Sequence, residues 1–395
     1  MSINSHKKTV ADVPVDGRRV LVRVDFNVPM DSAGHILDDR RVRESLPTIE
    51  YLIGHGAAVI LVAHLGRPGG QPNQKYSLRP VAVRLAELLG QPVRFVPETV
   101  GPVAEAAAQQ LLPGQVALLE NLRFYPGEEQ NDPGFAEQLA RLAELYVDDA
   151  FGAVHRAHAS TVGVTRFLPA VSGLLMEKEL QTLGKALESP RRPLVAIIGG
   201  AKISSKIDVL NSLLPRVDRL LVGGGMANTF LKAQGYEVGR SLVEPDRVPI
   251  AQQIIAVAGS KLALPVDAVV ATEPQPTALP TVASIDQIPP DQMILDVGPK
   301  TVEAFAGIVD GAGTVIWNGP LGVAEIPTFA EGTLGVARAL AQSSATSIVG
   351  GGDLVGVLEQ LGVANQMSFV STGGGASLEF LEGKVLPGVA ALEDR

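Results

Sequence analysis

The feature that most constrains this fold is an alternation of short, β-branched apolar runs with amphipathic helical patterns. In the first half the apolar runs span 18–27, 57–66, 92–98, 115–124 and 145–152. In the second half they span 193–200, 219–227, 268–271, 314–320, 346–353 and 367–375. Helical patterns lie between them, for example at 79–90, 132–144 and 203–214. Because continuous apolar strands are typical of parallel sheets, this twice-repeated alternation predicts an α/β protein with two doubly wound parallel-sheet, Rossmann-like domains.

Chain length and one central segment predict where the domains divide. The 395 residues exceed what one hydrophobic core usually serves. Residues 174–193 form a helix pattern that runs into a break rich in Pro and Arg. We therefore expect an amino-terminal domain at 1–173, a hinge helix and linker at 174–192, and a carboxy-terminal domain from 193 to 379. The Pro-rich stretch 273–292 predicts a surface loop or a short antiparallel edge.

Composition excludes several classes of protein. No apolar run of 18 residues lacks a charge or a Gly/Pro break, so we expect no membrane span. The basic amino terminus has no apolar segment behind it, which argues against secretion. The absence of cysteine excludes disulfides and thiolate sites and fits a cytoplasmic protein. The net charge of −9 argues against a nucleic-acid partner.

Arginines are concentrated in the first half, where fourteen of the twenty-two precede residue 170. Ligands of open α/β sheets bind at the carboxyl ends of strands, and four arginines follow such ends: Arg41, Arg67, Arg123 and Arg156. The same strand ends supply the polar residues Asp25, Asn27 and His64. Guanidinium groups match carboxylate and phosphate geometry, so the pattern predicts a small, multiply anionic ligand rather than a merely solubilising surface.

The segment "DDAFGAVHRAHAST" leaves several interpretations open for its histidines. His155 and His158 could share a metal with Asp148 and Asp149, but the sequence supplies no clear third or fourth ligand. One of them could act as a general base. We expect instead that both shape the pocket around Arg156, and that the two aspartates position the loop.

Glycine-rich turns with lysines characterise the second half. Gly199 and Gly200 end a predicted strand, and Lys202 and Lys206 follow; if that turn is helical, they share a face. Similar turns recur at 223–230, 350–354 and 371–377. Glycine lets the backbone approach a phosphate, and neither G-x-x-x-x-G-K-[ST] nor G-x-G-x-x-G occurs, so we expect a nucleotide site of another kind.

Two acidic residues complete that prediction. Asp353 is a candidate carrier of Mg²⁺, and Glu325 is a candidate acceptor for a ribose hydroxyl. An acidic substrate in one domain and a nucleotide in the other favour phosphoryl transfer, which depends on positioning and charge neutralisation.

The ordered motifs of the chain resemble the phosphoglycerate kinase family over nearly its whole length. They are "VLVRVDFNVP", "HLGRP", "LLENLRF", "DDAFG", "HRAHAST", "GLLMEKEL", "IIGGAKISSK", "LVGGGMANTF", "WNGPLGV", "VGGGD" and "STGGGASLEFLEGKVLPGV". The resemblance implies reversible, Mg²⁺-dependent transfer of a phosphoryl group from 1,3-bisphosphoglycerate to ADP, giving 3-phosphoglycerate and ATP. It also implies a hinge-bending monomer whose residues 380–395 return to the amino-terminal domain.

The same resemblance implies roles for individual residues. The phosphoglycerate would be held by Asp25, Asn27, Arg41, His64, Arg67, Arg123 and Arg156. The nucleotide would be held by Lys202, Lys206, Gly223, Asn318, Glu325, Gly352 and Asp353, the last also carrying the metal. Catalysis would fall to Arg41, Lys202 and Lys206, with backbone N–H groups of Gly373 and Gly374 meeting the transition state.

Three positions depart from the family pattern. Leu354 stands where the family usually has Thr, Ala324 where it has Phe, and Ala63 where it has Ser. Leu354 predicts a somewhat weaker nucleotide affinity through one lost phosphate hydrogen bond.

Two other functions compete with this interpretation. A catalytically idle relative that only binds nucleotide or a partner is opposed by the intact charged residues, and a dehydrogenase is opposed by the missing dinucleotide fingerprint.

Overall fold

Two six-stranded parallel sheets dominate the computed structural model, which describes residues 7–395. Each sheet belongs to its own structural unit. Of the described residues, the first unit comprises 7–184 together with Val385–Arg395, and the second comprises Lys185–Lys384. The predicted class, α/β with two doubly wound parallel sheets, is confirmed.

The first sheet has the order β3-β4-β2-β1-β5-β6. Its strands are β1 Arg19–Arg23, β2 Ala58–Val62, β3 Val93–Val96, β4 Val116–Leu119, β5 Leu145–Asp148 and β6 Ala170–Ser172. Val20 and Val22 pack into one apolar core, whereas Leu21 between them packs into another. Successive side chains of a strand point to opposite faces, so both faces of this sheet are covered, as its apolar runs predict.

Helices connect these strands and cover the sheet. In the first unit they are α1 Arg40–Glu44, α2 Leu46–Gly54, α3 Arg79–Leu89, α4 Pro102–Gln110, α5 Pro126–Glu129 and α6 Pro133–Ala140. The last helix of the chain, α15 Pro387–Ala390, also belongs to this unit. Helix α7, Leu174–Glu188, begins in the first unit and continues past the boundary at Gly184.

The second parallel sheet has the order β15-β14-β13-β7-β8-β9. Its strands are β7 Leu194–Ile198, β8 Arg219–Val222, β9 Leu262–Ala263, β13 Thr314–Asn318, β14 Thr346–Gly350 and β15 Phe369–Val370. The helices of this unit are α8 Ile207–Leu213, α9 Gly225–Ala233, α10 Val248–Ala258, α11 Pro299–Asp310, α12 Glu331–Gln342, α13 Gly352–Gln360 and α14 Gly375–Leu381. No helix of residues 7–395 has the length and apolar character needed to cross a membrane.

A third, antiparallel sheet corrects one prediction. The run at 268–271 belongs to β10, Asp267–Ala271, which pairs antiparallel with β11, Thr281–Ser284, and β12, Met293–Val297. An apolar run carries no information about strand direction, and this short run was wrongly assigned to a parallel sheet. The predicted antiparallel edge within 273–292 is confirmed, since β11 lies at the edge of this sheet.

Candidate functional site

A buried ion pair lies at the carboxyl end of β1. Asp25 follows the strand and is almost fully buried, and its Oδ2 accepts a hydrogen bond from Nη1 of Arg41, in α1. Burial alone would raise the pKa of the Asp25 carboxyl, but Arg41, His64 and Arg23 outweigh it and lower the pKa to about 2. The carboxylate therefore stays ionised at neutral pH and fixes the guanidinium of Arg41.

Hydrogen bonds with residues that follow β1 and β4 hold the backbone of the loop after β2. Asn27 Oδ1 accepts a hydrogen bond from Gly66 N at 2.9 Å, and Arg123 Nη1 donates to Gly66 O at 2.8 Å. Asn121, fully buried after β4, donates from Nδ2 to Leu65 O at 2.7 Å. The ends of two strands, β1 and β4, thus hold the backbone that presents His64 and Arg67, which lie on either side of this segment.

The four predicted arginines differ in how they are engaged. Arg41 pairs with Asp25, while the buried Arg123 has Nε 3.2 Å from Glu129 Oε1. Arg67 and Arg156 are exposed, and neither side chain makes a hydrogen bond or ion pair with another residue of the described chain. Two guanidinium groups are therefore held in place, and two remain available to an anion.

Sequence reasoning missed Arg23, whose side chain is only 1% exposed. Its Nε donates to Ser160 Oγ at 3.0 Å, and its Nη2 lies 3.0 Å from His64 Nδ1. Since a guanidinium only donates, Nδ1 of His64 accepts and the ring proton stays on Nε2. The available signal was a charge inside the apolar run "RRVLVRVDFN", because a charge within a buried strand requires specific partners.

The histidines around Arg156 are neutral at pH 7. Burial, with the neighbouring Arg23, Arg123 and Arg156, lowers the pKa of His158 to about 4, and burial also lowers the pKa of His155. His158 Nδ1 lies 3.8 Å from Oε1 of Glu128, whose own pKa is raised by burial. Neutral, partly buried imidazoles fit the expectation that these residues shape the pocket.

The two aspartates before them, Asp148 and Asp149, accept hydrogen bonds from backbone N–H groups. Asp148 Oδ1 accepts from Ala150 N at 3.0 Å, and Asp149 Oδ1 accepts from Leu175 N at 2.9 Å and Met176 N at 3.1 Å, in the first turn of α7. Burial raises the pKa of Asp148 to about 7 and that of Asp149 to about 6. Within residues 7–395, no group of three or more His, Asp or Glu side chains is arranged to hold a metal.

In the second unit, a cavity of about 660 Å³ opens beside the glycine-rich turns. Its walls are largely apolar and include Leu242, Met293, Leu321 and Val323. Polar groups gather at the rest of its lining: Gly200, Asn228, Asp296, Glu325, Gly352 and Asp353. An apolar pocket with a few polar groups at its margin can take a flat heterocycle and orient the group attached to it.

Lys202 and Lys206 lie near one another but not on one helix. Lys202 has an extended backbone, a 3₁₀ turn covers Ile203–Ser205, and Lys206 directly precedes α8. The condition for a shared helical face is therefore not met. Lys206 Nζ donates to Asn318 Oδ1 at 2.5 Å, and burial lowers the pKa of Lys206 against the opposing effect of Asp353 and Glu382.

The turns after β7 and β8 approach each other closely. Gly224 has φ +69°, and a Cβ at this position would overlap Gly200 N, Gly200 O and Pro320 O. A Cβ on Gly223 would overlap the side chain of Leu321. Only glycine permits this packing, which brings the turns after two strands together at the cavity, where Gly200 and Gly224 both form part of the lining.

The two glycines assigned to the transition state differ in this structure. Gly373 N donates to Ser371 Oγ at 3.1 Å, and Ser371 Oγ lies 2.6 Å from Ser377 Oγ. Gly374, with φ +52°, directly precedes α14. The N–H of Gly373 is thus already engaged.

All three departures from the family pattern lie in the interior, and Ala63, which directly follows β2, is 0% exposed. Leu354 is 0% exposed and belongs to the core of the second unit, together with Val349 and Leu358. Leu354 is not part of the cavity lining, so this geometry does not support the expected loss of a phosphate hydrogen bond at this position. Ala324 is likewise buried, against Ala330 and Val357.

Comparisons with known proteins agree with one another. A family model described as phosphoglycerate kinase matches residues 10–384. A phosphoglycerate kinase of Moorella thermoacetica is 58% identical over 392 residues, which cover 98% of this chain and 100% of the relative. One of Chloroflexus aurantiacus is 57% identical over 397 residues, which cover 98% and 99%.

Solved structures extend the similarity to the fold. A phosphoglycerate kinase from Coxiella burnetii has a TM-score of 0.86 at 44% identity, and one from Pyrococcus horikoshii has a TM-score of 0.87 at 33% identity. Each comparison covers 98% of both chains.

Proposed function

Because the chain belongs to the phosphoglycerate kinase family, we propose that its two units divide the reaction, one holding phosphoglycerate and the other the nucleotide. The chain is a phosphotransferase that acts on a carboxyl group and uses a nucleotide substrate. It transfers a phosphoryl group reversibly from 1,3-bisphosphoglycerate to ADP. The observation that supports this division is chemical: two unpaired guanidinium groups follow strands of one sheet, whereas an apolar cavity with the carboxyl groups of Asp296, Glu325 and Asp353 in its lining lies beside the other.

The strand ends of the first unit suit a three-carbon acid phosphate. Arg67 and Arg156 offer unpaired guanidinium groups, and Arg41 is preoriented by the ionised Asp25. His64 presents a protonated Nε2, while Asn27 and Arg123 hold the intervening loop. Such a set binds a dianionic phosphate and a carboxylate together, since each guanidinium can donate two hydrogen bonds to either group.

The cavity of the second unit suits ADP or ATP. Its apolar walls would enclose the base, Glu325 would accept a ribose hydroxyl hydrogen, and the turns around Gly223 and Gly352 would lead to the phosphates. Lys202 and Lys206 would neutralise those phosphates, with Asn318 holding Lys206 in place.

Asp353 fits the magnesium ion of the nucleotide. Its carboxylate is exposed at the cavity margin and makes no hydrogen bond or ion pair within the described chain. Mg²⁺ in such enzymes is usually held by one or two carboxylates plus substrate phosphates, and when bound it neutralises phosphate charge.

The residues of the chain then act by position and charge. The carboxylate of 3-phosphoglycerate is already ionised near neutral pH, so it needs no general base. After closure of the two units, Arg41, Lys206 and the N–H of Gly374 would stabilise the transferring group during direct in-line attack. We expect the chain to work as a cytoplasmic monomer without a nucleic-acid partner.

A coupled assay tests this function. Purified protein is mixed with 3-phosphoglycerate, ATP and Mg²⁺, and a glyceraldehyde-phosphate dehydrogenase consumes the acyl phosphate with NADH. We expect NADH oxidation that requires all three components and the protein. A protein that binds ATP in a separate titration but gives no NADH oxidation would contradict the proposed catalysis.

A further inference from the structure

One buried carboxylate at the cavity of the second unit has no role in the reaction as proposed above. Asp296, the penultimate residue of β12, is 2% exposed and contributes to the cavity lining. Its Oδ1 accepts from Val297 N at 2.8 Å, and its Oδ2 accepts from Gly332 N at 2.7 Å, in the first turn of α12. Both oxygens are therefore engaged by backbone N–H groups of two different segments, β12 and the start of α12.

The same carboxylate contacts both ends of one segment, residues 322–332. A Cβ on either Gly322 or Gly332 would overlap Asp296 Oδ1, so both glycines lie directly against it. The segment is also joined to β12 by the hydrogen bond from Val323 N to Leu295 O, at 2.8 Å. Glu325 lies between the two glycines, exposed at the margin of the cavity.

We propose that Asp296 is a positioning residue for nucleotide binding, which sets residues 322–332 so that Glu325 reaches the ribose. This inference rests on the proposed function, because it takes the cavity to be the nucleotide site. The carboxylate acts through Glu325 and the wall formed by Val323, not through contact with the nucleotide. Two acceptors on one rigid strand fix both ends of the segment at once.

Asp267 provides a matched control. Asp267 is the first residue of β10 and is also 2% exposed. Its carboxylate accepts hydrogen bonds from Lys300 N at 3.0 Å and from Thr301 N at 2.8 Å, at the start of α11. It too lies directly against a glycine, Gly298. It does not line the cavity, so its loss costs stability without moving Glu325.

The first test compares Asp296→Asn with Asp267→Asn in the full-length protein. In each variant an amide N–H₂ replaces one acceptor oxygen. We expect Asp296→Asn to weaken ADP binding and to raise the KM for ATP about tenfold, with the KM for 3-phosphoglycerate within about twofold. Asp267→Asn should change neither constant more than about twofold. Equal effects of the two variants on ATP KM would show a general loss of stability and would overturn the proposal.

A double-mutant cycle then tests the route through Glu325. If Asp296 acts by placing Glu325, combining Asp296→Asn with Glu325→Gln should weaken ADP binding by clearly less than the product of the two single effects. Fully multiplicative effects would contradict the positioning role while leaving the nucleotide site intact. No effect of Glu325→Gln or Lys206→Ala on ADP binding would instead contradict the proposed function. Gly322→Ala, which disturbs the same contact without changing the carboxylate, should reproduce the ATP KM increase if Asp296→Asn folds poorly.

Discussion

The ion pair of Asp25 with Arg41 links the stability of the first unit to its chemistry. Asp25 is buried and ionised, and Arg41, whose side chain is 30% exposed, supplies the compensating charge. A partly exposed arginine that is held by a buried carboxylate is pre-organised for a second anion, because its rotamer is fixed before the ligand arrives.

Arg41→Ala should lower kcat by roughly 10²–10³-fold, by analogy with the loss of a transition-state hydrogen-bond donor. Arg43→Ala is the control, since Arg43 lies on the same helix but pairs with Asp39 at 2.8 Å. His158→Ala should mainly raise the KM for 3-phosphoglycerate. Steady-state kinetics measure all three, and a kcat collapse in His158→Ala with normal kcat in Arg41→Ala would reverse these roles.

Two buried aspartates should give the unfolding free energy opposite dependences on pH. The folded pKa of Asp25, about 2, lies below its ordinary 3.8, so its stabilisation is present above 3.8 and is lost as pH falls through 2. The folded pKa of Asp148, about 7, lies above 3.8, so its contribution is present below 3.8 and is lost as pH rises through 7. Over its full pH range the effect is about 2 kcal/mol for Asp25 and about 4 kcal/mol for Asp148.

Urea unfolding at pH 5 and pH 8 distinguishes them. Asp148→Asn should reduce the loss of stability between pH 5 and pH 8 by about 2 kcal/mol. Asp25→Asn should leave that difference nearly unchanged, because both pH values lie above its folded and unfolded pKa. An unchanged pH 5 to pH 8 difference in Asp148→Asn would contradict the buried, neutral Asp148.

At the level of residues, the sequence predicts charged groups at strand ends better than it predicts their partners. Arg41, Arg67, Arg123 and Arg156 were identifiable because each follows an apolar run. The partner of Gly373, Ser371, and the network around Arg23 depend on side-chain directions that spacing alone does not determine.

Among the elements, α13 shows how a helix separates binding from packing. Asp353 is exposed at its first turn, whereas the next residue, Leu354, points into the core with Val349 and Leu358. Adjacent residues of a helix lie about 100° apart, so one can meet a ligand while its neighbour cannot.

Leu354→Thr should therefore lower stability rather than improve nucleotide binding. Removing buried carbon atoms and burying a hydroxyl should cost about 2–4 kcal/mol of unfolding free energy, with an ATP KM within about twofold of the parent. Leu361→Thr should cost less, because Leu361 directly follows the same helix and is only partly buried. A lower ATP KM in Leu354→Thr at unchanged stability would restore the original expectation of a lost phosphate contact.

Strands were predictable where the apolar runs were long. Whether a strand pairs parallel or antiparallel was predictable only where a helix follows it. β15 lies within the predicted run 367–375, whereas β9, with two residues, and β6, with three, were missed because they are too short to show a period. β10 gave an apolar run as parallel strands do, yet its partners β11 and β12 are joined to it by chain reversals without a crossover helix.

On the scale of the whole molecule, we propose that two units with similar sheets each bind one substrate, phosphoglycerate in the first and the nucleotide in the second. We propose that α7, which begins against Asp149 in the first unit and ends in the second, acts as the hinge. Sequence alone indicated this division, because the charged residues of the two halves differ in kind: arginines follow the strands of one, lysines and glycines those of the other.

The division is tested most directly by removing one exposed cation from each unit and measuring both Michaelis constants. Arg67→Ala should raise the KM for 3-phosphoglycerate about tenfold and leave the KM for ATP within about twofold, since a charge-assisted hydrogen bond contributes about 1.5–3 kcal/mol. Lys202→Ala should do the reverse. Equal changes of both constants in both variants, or a raised ATP KM in Arg67→Ala alone, would contradict the assignment of one substrate to each unit.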